Sequence, residues 1–331
     1  MTERVATTPG VYPLPDWAKD DLSDLKGHQK GDLISGDEGE KLTAVYDQAR
    51  TEVIERQQEA GLDRIVEGQL RWDDMLAHPL AVHDSVETQG IVRYYDNNNF
   101  YRDPVVVDDL DFDGDVAAEL TAAAKQTDSP QAVLPGPYSL ADLATDEYYG
   151  DDEEFLAAIG EFLADEVEAF PDVETLFLLE PSLVTAPPAD GEDARASEAI
   201  DAVASAADAD VVVQSYWGSL SEKVHAHLLD ADIDAVGYDL VTDHEGAIHN
   251  VNEFGTKESV ALGLVDGQNT LVESPETIAE RVDWFEEQTP VNEFETVYLT
   301  ANTELFYLPY AKLEEKLAAL GEAAEIQEVE A

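Results

Sequence analysis

The chain has 331 residues, of which 44% are hydrophobic, enough apolar material to bury a large core and to exclude global disorder. It carries 74 acidic residues against 18 basic ones, a formal net charge of −56, with no basic stripe to meet nucleic-acid phosphates. Cysteine is absent, which excludes disulfides, thiolate catalysis and cysteine–zinc sites within this chain.

The acids are spread along the chain, as in Asp108-Asp109, Asp151 to Glu154 and Glu325 to Glu330. Self-repulsion on this scale destabilises a compact state in dilute salt, whereas in molar salt the Debye length shrinks to roughly 3 Å. The expectation is a protein of a salt-filled cytoplasm. Met1 to Pro9 has no apolar signal region, and no apolar run reaches the roughly 20 residues that span a bilayer, so neither a membrane nor a nucleic acid is expected as a partner.

In chain order, a first strand is predicted near Val5 to Val11, a long amphipathic helix over Glu40 to Ala60, and a strand over Gly61 to Val66. Residues 72–115 read as an insertion with its own short strand at Gly90 to Tyr95. Thereafter short, β-branched, apolar runs recur: Gln131 to Leu134, Glu174 to Leu179, Asp210 to Gln214, Asp234 to Leu240, Ser259 to Val265 and Thr296 to Thr300. Runs apolar on both faces suit buried parallel strands. Helical segments lie between them at Glu153 to Glu168, Ala194 to Ala207 and from Ser274-Pro275, where serine caps and proline opens the helix. About eight strand–helix units give an α/β fold, a single (β/α)₈ TIM barrel spanning 1–331. An open doubly wound sheet is the alternative, but no Gly-rich dinucleotide turn follows the first strand.

Barrels of this kind place their chemistry at the C-terminal ends of the strands. That rule selects Glu67 and Gln69, Glu180, Ser215-Tyr216-Trp217, Asp239, Asp266 and Thr303. Glu180 is the strongest candidate, since a carboxylate ending a buried strand can grip an amine or a metal or stay protonated; equally, it can cap a helix or join a loop ion pair. The histidines fit no zinc template: His225 and His227 fall two apart on a helix and point away from each other, and His244 and His249 flank a predicted turn. They read as surface residues.

Several strand-end segments together resemble the cobalamin-independent methionine synthase family, zinc methyltransferases built from two related barrels. Tyr94 to Tyr101 (Y-Y-D-N-N-N-F-Y) resembles its W-F-D-T-N-Y-H-Y segment, Gly136 to Leu140 its G-P-x-T-L turn, and Leu179 to Leu183 its D-E-P-A-L. Ser215 to Gly218 resembles T-Y-F-G, and Gly263 to Asn269 resembles G-V-V-D-G-R-N. Thr300 to Thr303, with Leu308-Pro309, resembles S-P-S-C-S followed by H-x-P. The likeness covers nearly the whole chain and is strongest to the N-terminal, non-zinc barrel.

The resemblance implies methyl transfer to homocysteine from 5-methyltetrahydropteroylpolyglutamate or another donor, a methyl-corrinoid included. In the family's catalytic barrel, zinc is held by a His-x-Cys pair after the fifth strand, a glutamate after the sixth and a later cysteine. Here the corresponding turn is Ser215-Tyr216-Trp217, and the late cysteine is replaced within Ala301-Asn302-Thr303. The aspartate opening D-E-P is Leu179, and the basic residue of an early G-F-P-R turn is missing from Gly10 to Leu14. The implied role is the non-zinc, donor-binding component, with no cofactor of its own, zinc in a separate partner barrel, and a cleft formed by Glu180, Tyr216, Trp217, Asp239 and Asp266 with Asn97 and Asn99 from the insertion. Tyr216 and Trp217 would offer faces for stacking a pterin-like ring, and the asparagines would meet its edge. The competing readings are a non-catalytic binding or regulatory barrel and a uroporphyrinogen decarboxylase-like enzyme; the latter calls for basic residues that this chain largely lacks.

Overall fold

The structure is a computed structural model that describes residues 2–23, 39–72, 75–93, 100–189 and 191–326. Its strands in chain order are β1 (Glu3–Ala6), β2 (Ile65–Val66), β3 (Val86–Arg93), β4 (Phe100–Val106), β5 (Pro130–Pro135), β6 (Thr145–Asp146), β7 (Thr175–Leu179), β8 (Asp210–Gln214), β9 (Ala235–Asp239), β10 (Ser259–Val265) and β11 (Thr296–Ala301). Eight of them form one parallel sheet in the order β1-β11-β10-β9-β8-β7-β5-β2. The sheet curls until its edge strands meet. The Ala6 carbonyl accepts from the backbone N–H of Asp63 at 3.0 Å and of Arg64 at 3.3 Å, and Tyr12 N–H donates to the Gly68 carbonyl at 2.8 Å. This is the expected (β/α)₈ barrel.

The strands hold because both of their faces are buried. All five residues of β7 and of β9 are inaccessible to solvent or nearly so. Inside the barrel, Tyr298 of β11 meets Phe177 of β7 edge to face at 6.2 Å and donates to the Asp210 carboxylate at 2.9 Å. Outside, amphipathic helices pack on the sheet. The helix Pro275–Gln288 buries Ile278, Ala279, Val282 and Phe285, one stripe at helical spacing. Its cap is Ser274, as its sequence indicates. The helix Asp152–Glu168 is capped by Asp151, whose carboxylate accepts from Glu153 N at 3.0 Å and Glu154 N at 3.2 Å, and acids in its first turn suit the positive end of the helix dipole.

Several expectations are corrected. The first strand ends at Ala6 rather than Val11, and the second is only Ile65–Val66, because Gly61 at φ 77° still belongs to the end of the helix Glu40–Glu59. The insertion holds a hairpin rather than one strand: β3 and β4 pair antiparallel with a bulge between Thr88 and Ile91, and β6 joins β4 in parallel. No residue of β3 is buried, so it carries no apolar alternation to read. His225 is fully buried on the helix Glu222–Leu228, where its Nε2 lies 2.9 Å from the Tyr238 hydroxyl and burial pushes its pKa down to about 4. His244 and His249 lie on one helix, His244–Phe254, not around a turn.

Candidate functional site

Backbone strain marks the C-terminal mouth of the barrel. Among the described residues, three other than glycine have positive φ: Val11 at 53°, Gln69 at 51° and Trp217 at 69°. They follow β1, β2 and β8 at the same end of the sheet. For a β-branched residue such as Val11 this conformation is a genuine outlier, and such strain persists only where the surroundings enforce it, commonly at functional sites. Here Val11 N–H donates to Gln69 Oε1 at 2.8 Å, and Trp217 N–H donates to Asp239 Oδ2 at 2.9 Å.

Four buried carboxyls ring this mouth. Glu180, after β7, accepts from Tyr138 N at 3.0 Å, Ser139 N at 2.8 Å and the Ser139 hydroxyl at 2.6 Å, so it seals the start of the helix Pro137–Asp142. Gly136 makes this approach possible, since a Cβ there would sit 2.2 Å from the carboxyl. Burial outweighs these hydrogen bonds and pushes the Glu180 pKa up to about 7. Glu67, after β2, accepts from Gln69 N at 2.7 Å and lies 3.7 Å from Arg50 Nε. Its pKa also rises to about 7, through burial and the Glu119 charge, against the pull of Arg50.

Asp239 ends β9 with both oxygens engaged. Oδ2 accepts from Trp217 N–H, while Oδ1 takes Val241 N at 3.0 Å, Thr242 N at 2.8 Å and Asn302 Nδ2 at 3.1 Å. Asn302 Oδ1 in turn accepts from Gly267 N at 3.0 Å. The ends of β8, β9, β10 and β11 are thereby tied through one carboxylate. The fourth carboxyl, Glu304, follows β11. It is fully buried, and its carboxyl is paired with the Tyr216 hydroxyl beyond the end of β8. Burial pushes its pKa up to about 8.

Of the residues expected at a cleft, Glu180 and Asp239 are spent on backbone N–H groups. Tyr216 is buried and meets Trp217 edge to face at 5.0 Å, leaving the half-buried indole as the more accessible ring. Asp266 is half-buried and closes a turn by accepting from Gln268 N at 2.9 Å. Ser215 Oγ donates to the Gly237 carbonyl at 3.2 Å, and Thr303 Oγ1 to the Glu304 carbonyl at 3.1 Å. Asn97 and Asn99 lie outside the described residues. Sequence reasoning missed Asn302 and Glu304: it stopped at Thr303, although a carboxylate so soon after an apolar strand was the available signal. A separate cleft of about 440 Å³ lies in the helix layer, lined by Tyr138, Phe155, Glu192 and Arg195 among others; Arg195 is already paired with Glu153 at 2.6 Å.

β8, β9 and β11 are the fifth, sixth and eighth barrel strands, whose ends the family resemblance assigns to zinc ligands. The residues present do not fit the ion. Ser215, Trp217, Asn302 and Thr303 offer no imidazole or thiolate, and Asp239 already receives four donors. Among the described residues no group of three or more His, Asp or Glu side chains is arranged to hold a metal ion.

A closed eight-stranded barrel with strain and buried acids gathered at its C-terminal mouth defines a (β/α)₈ protein of the class that works at its strand ends. The chain belongs to the cobalamin-independent methionine synthase family: the family model described as "Cobalamin-independent synthase, Catalytic domain" matches residues 7–321. That model describes the catalytic domain, where the sequence motifs alone led to an expected likeness to the N-terminal barrel. The chain is 22% identical over 326 residues to a methionine synthase of Saccharolobus solfataricus, covering 97% of this chain and 93% of the relative. It is also 22% identical to one from Sulfolobus acidocaldarius, covering 85% and 81%. Its fold is similar to that of a B12-independent methionine synthase from Shewanella sp. W3-18-1 in complex with selenomethionine, with a TM-score of 0.79, 18% identity and coverage of 97% and 96%. A putative B12-independent methionine synthase from Listeria monocytogenes matches at a TM-score of 0.68, 18% identity and 98% of both chains.

Proposed function

We propose that the chain serves methyl transfer to a thiol as a metal-free barrel that binds the methyl donor, while a separate zinc-bearing barrel of the same family supplies the thiol acceptor. The observation that supports this reading is Asp239, the only carboxylate at the three family ligand positions, whose oxygens are saturated by Trp217, Val241, Thr242 and Asn302. A metal would have to displace this network and would then find no second strong ligand nearby. The half-buried Trp217 indole is the ring surface best suited to a pterin-like donor such as methyl-folate, with a methyl-corrinoid the alternative.

The test is purification of the chain from native extract in molar potassium chloride, followed by metal analysis and by methyl-transfer assays of the chain alone, any co-purifying zinc barrel alone, and the two together. Turnover only in the mixture, with zinc confined to the partner, is the expected result, and Trp217→Ala should weaken donor affinity. One tightly bound zinc per chain would overturn the reading. The match to a catalytic-domain model, and a curated relative of nearly this chain's length, favour a second reading in which the chain turns over unaided. Activity of the chain alone would select it.

A further inference from the structure

Between β10 and the helix Pro275–Gln288 the chain runs through a loop, residues 266–274, whose crest from Gln268 to Leu271 is exposed. The loop closes two turns with its own side chains: Gln268 N–H donates to Asp266 Oδ1 at 2.9 Å, and Leu271 N–H to Asn269 Oδ1 at 3.0 Å. It is anchored from the helix layer. Lys316, on the helix Tyr310–Ala324, is fully buried, and its Nζ donates to the Leu271 carbonyl at 2.6 Å and to Glu273 Oε2 at 2.8 Å. Glu273 Oε1 accepts from Asp266 N–H at 3.1 Å, at the start of the same loop.

Stability is a poor reason for this lysine. A buried ion pair loses hydration that its own attraction barely offsets, and apolar groups of similar shape often leave a fold equally stable. A chain with 18 basic residues against 74 acidic ones nonetheless sets one of them beneath a loop, where it pins the backbone instead of countering surface repulsion.

The start of the loop leads on to the mouth of the barrel. Gly267 N–H donates to Asn302 Oδ1 at 3.0 Å, Asn302 Nδ2 to Asp239 Oδ1 at 3.1 Å, and Trp217 N–H to Asp239 Oδ2 at 2.9 Å. The junction has no slack, since a Cβ on Gly267 would sit 2.5 Å from Thr303 Oγ1 and 2.7 Å from the Glu304 carbonyl. A continuous series of hydrogen bonds and one peptide unit thus joins Lys316 to Trp217, which it reaches at φ 69°. A tryptophan keeps that backbone conformation only where its surroundings enforce it, and it has a relaxed alternative to fall into. A displaced acceptor is then answered by a discrete change of turn, the kind of element through which coupling can travel.

We propose that Lys316 is a positioning residue for the Trp217 turn: by pinning loop 266–274 it fixes Asn302 and Asp239, and so the ring that the mouth presents to a ligand. The effect on ligand affinity rests on the donor-binding reading above, whereas the effect on the turn does not.

The test is fluorine NMR of the full chain labelled with 5-fluorotryptophan in molar potassium chloride, the Trp217 line being assigned by its loss in Trp217→Phe. Lys316→Met combined with Glu273→Met removes the ion pair and keeps its shape. This variant should melt close to the unsubstituted chain. Its Trp217 line should nonetheless move or split, while the lines of Trp17 and Trp72, which follow β1 and β2, stay in place. Its Kd for methyl-folate should rise roughly 3–10-fold. Should it fail to fold, Lys316→Met alone, which lets Glu273 turn toward the solvent its edge already meets, carries the same expectations for both lines and affinity. A purely structural pair would lower Tm and leave the Trp217 line where it is, and that result would overturn the proposal. So would an undiminished affinity in the variant when the unsubstituted chain binds methyl-folate. An unsubstituted chain that does not bind methyl-folate would end the donor-binding reading, and the Trp217 line alone would then decide the role of Lys316.

Discussion

At the level of single residues, position in the chain revealed which side chains matter better than it revealed what they do. Glu180 is legible as a strand-end carboxylate, but its partners, Tyr138 and Ser139, lie about forty residues earlier and meet it only because β5 and β7 are neighbours. Removing the carboxylate strands those buried donors. Glu180→Ala should therefore cost about 3 kcal/mol of stability in molar salt, measured by chemical denaturation, whereas Glu180→Gln should lose less. Glu304 was illegible because its partner, the Tyr216 hydroxyl, follows a strand far away in the chain, and such a pairing cannot be read from a sequence. The raised carboxyls also set a pH dependence. Glu67 and Glu180 titrate at about 7 and Glu304 at about 8 when folded, against an ordinary value of 4.5. Each binds its proton more tightly in the folded state. Its stabilising share is therefore complete below pH 4.5 and is lost as the pH rises through about 7 to 8. In molar tetramethylammonium chloride, Tm should fall between pH 6 and pH 9, and Glu304→Gln should flatten the upper part of that slope. An unchanged slope in the variant would count against this assignment.

Secondary-structure elements divide by how much of them is buried. β7 to β11 are legible because each is a continuous apolar run packed on both faces, and their helices because the apolar stripe recurs at helical spacing. β2 contributes only Ile65 and Val66, too little for any periodicity, and β3 is a strand held by β4 with no buried face. Caps are local and so were readable, as at Ser274. Asp151, not singled out as a cap in the sequence, accepts from two backbone N–H groups through one carboxylate oxygen. Asp151→Ala should lower stability by about 1 kcal/mol in molar salt, seen as a fall of roughly 2–4 °C in Tm. Loss of one negative charge from so acidic a chain should offset part of that fall in dilute buffer, so the two conditions separate capping from repulsion.

For the whole molecule, the decisive property is the charge of −56. No helix among the described residues is long and apolar enough to cross a membrane. We propose that the acidity is an adaptation to a salt-rich cytoplasm, since only strong screening makes it compatible with a compact barrel. Melting temperature should fall steeply from molar to millimolar potassium chloride; a flat profile would remove the basis for the idea. The family was legible at this scale too, because the ordered series of strand-end motifs, rather than any one of them, carried the likeness. The closure of the barrel has a further consequence, for synthesis. Glu3 to Ala6 lie in register with Thr296 to Leu299, so β1 finds this parallel neighbour only after about 290 further residues have been translated. Until then the growing sheet has an open edge on each side, and a nascent chain arrested before residue 296 would present both to other nascent chains as templates for mispairing.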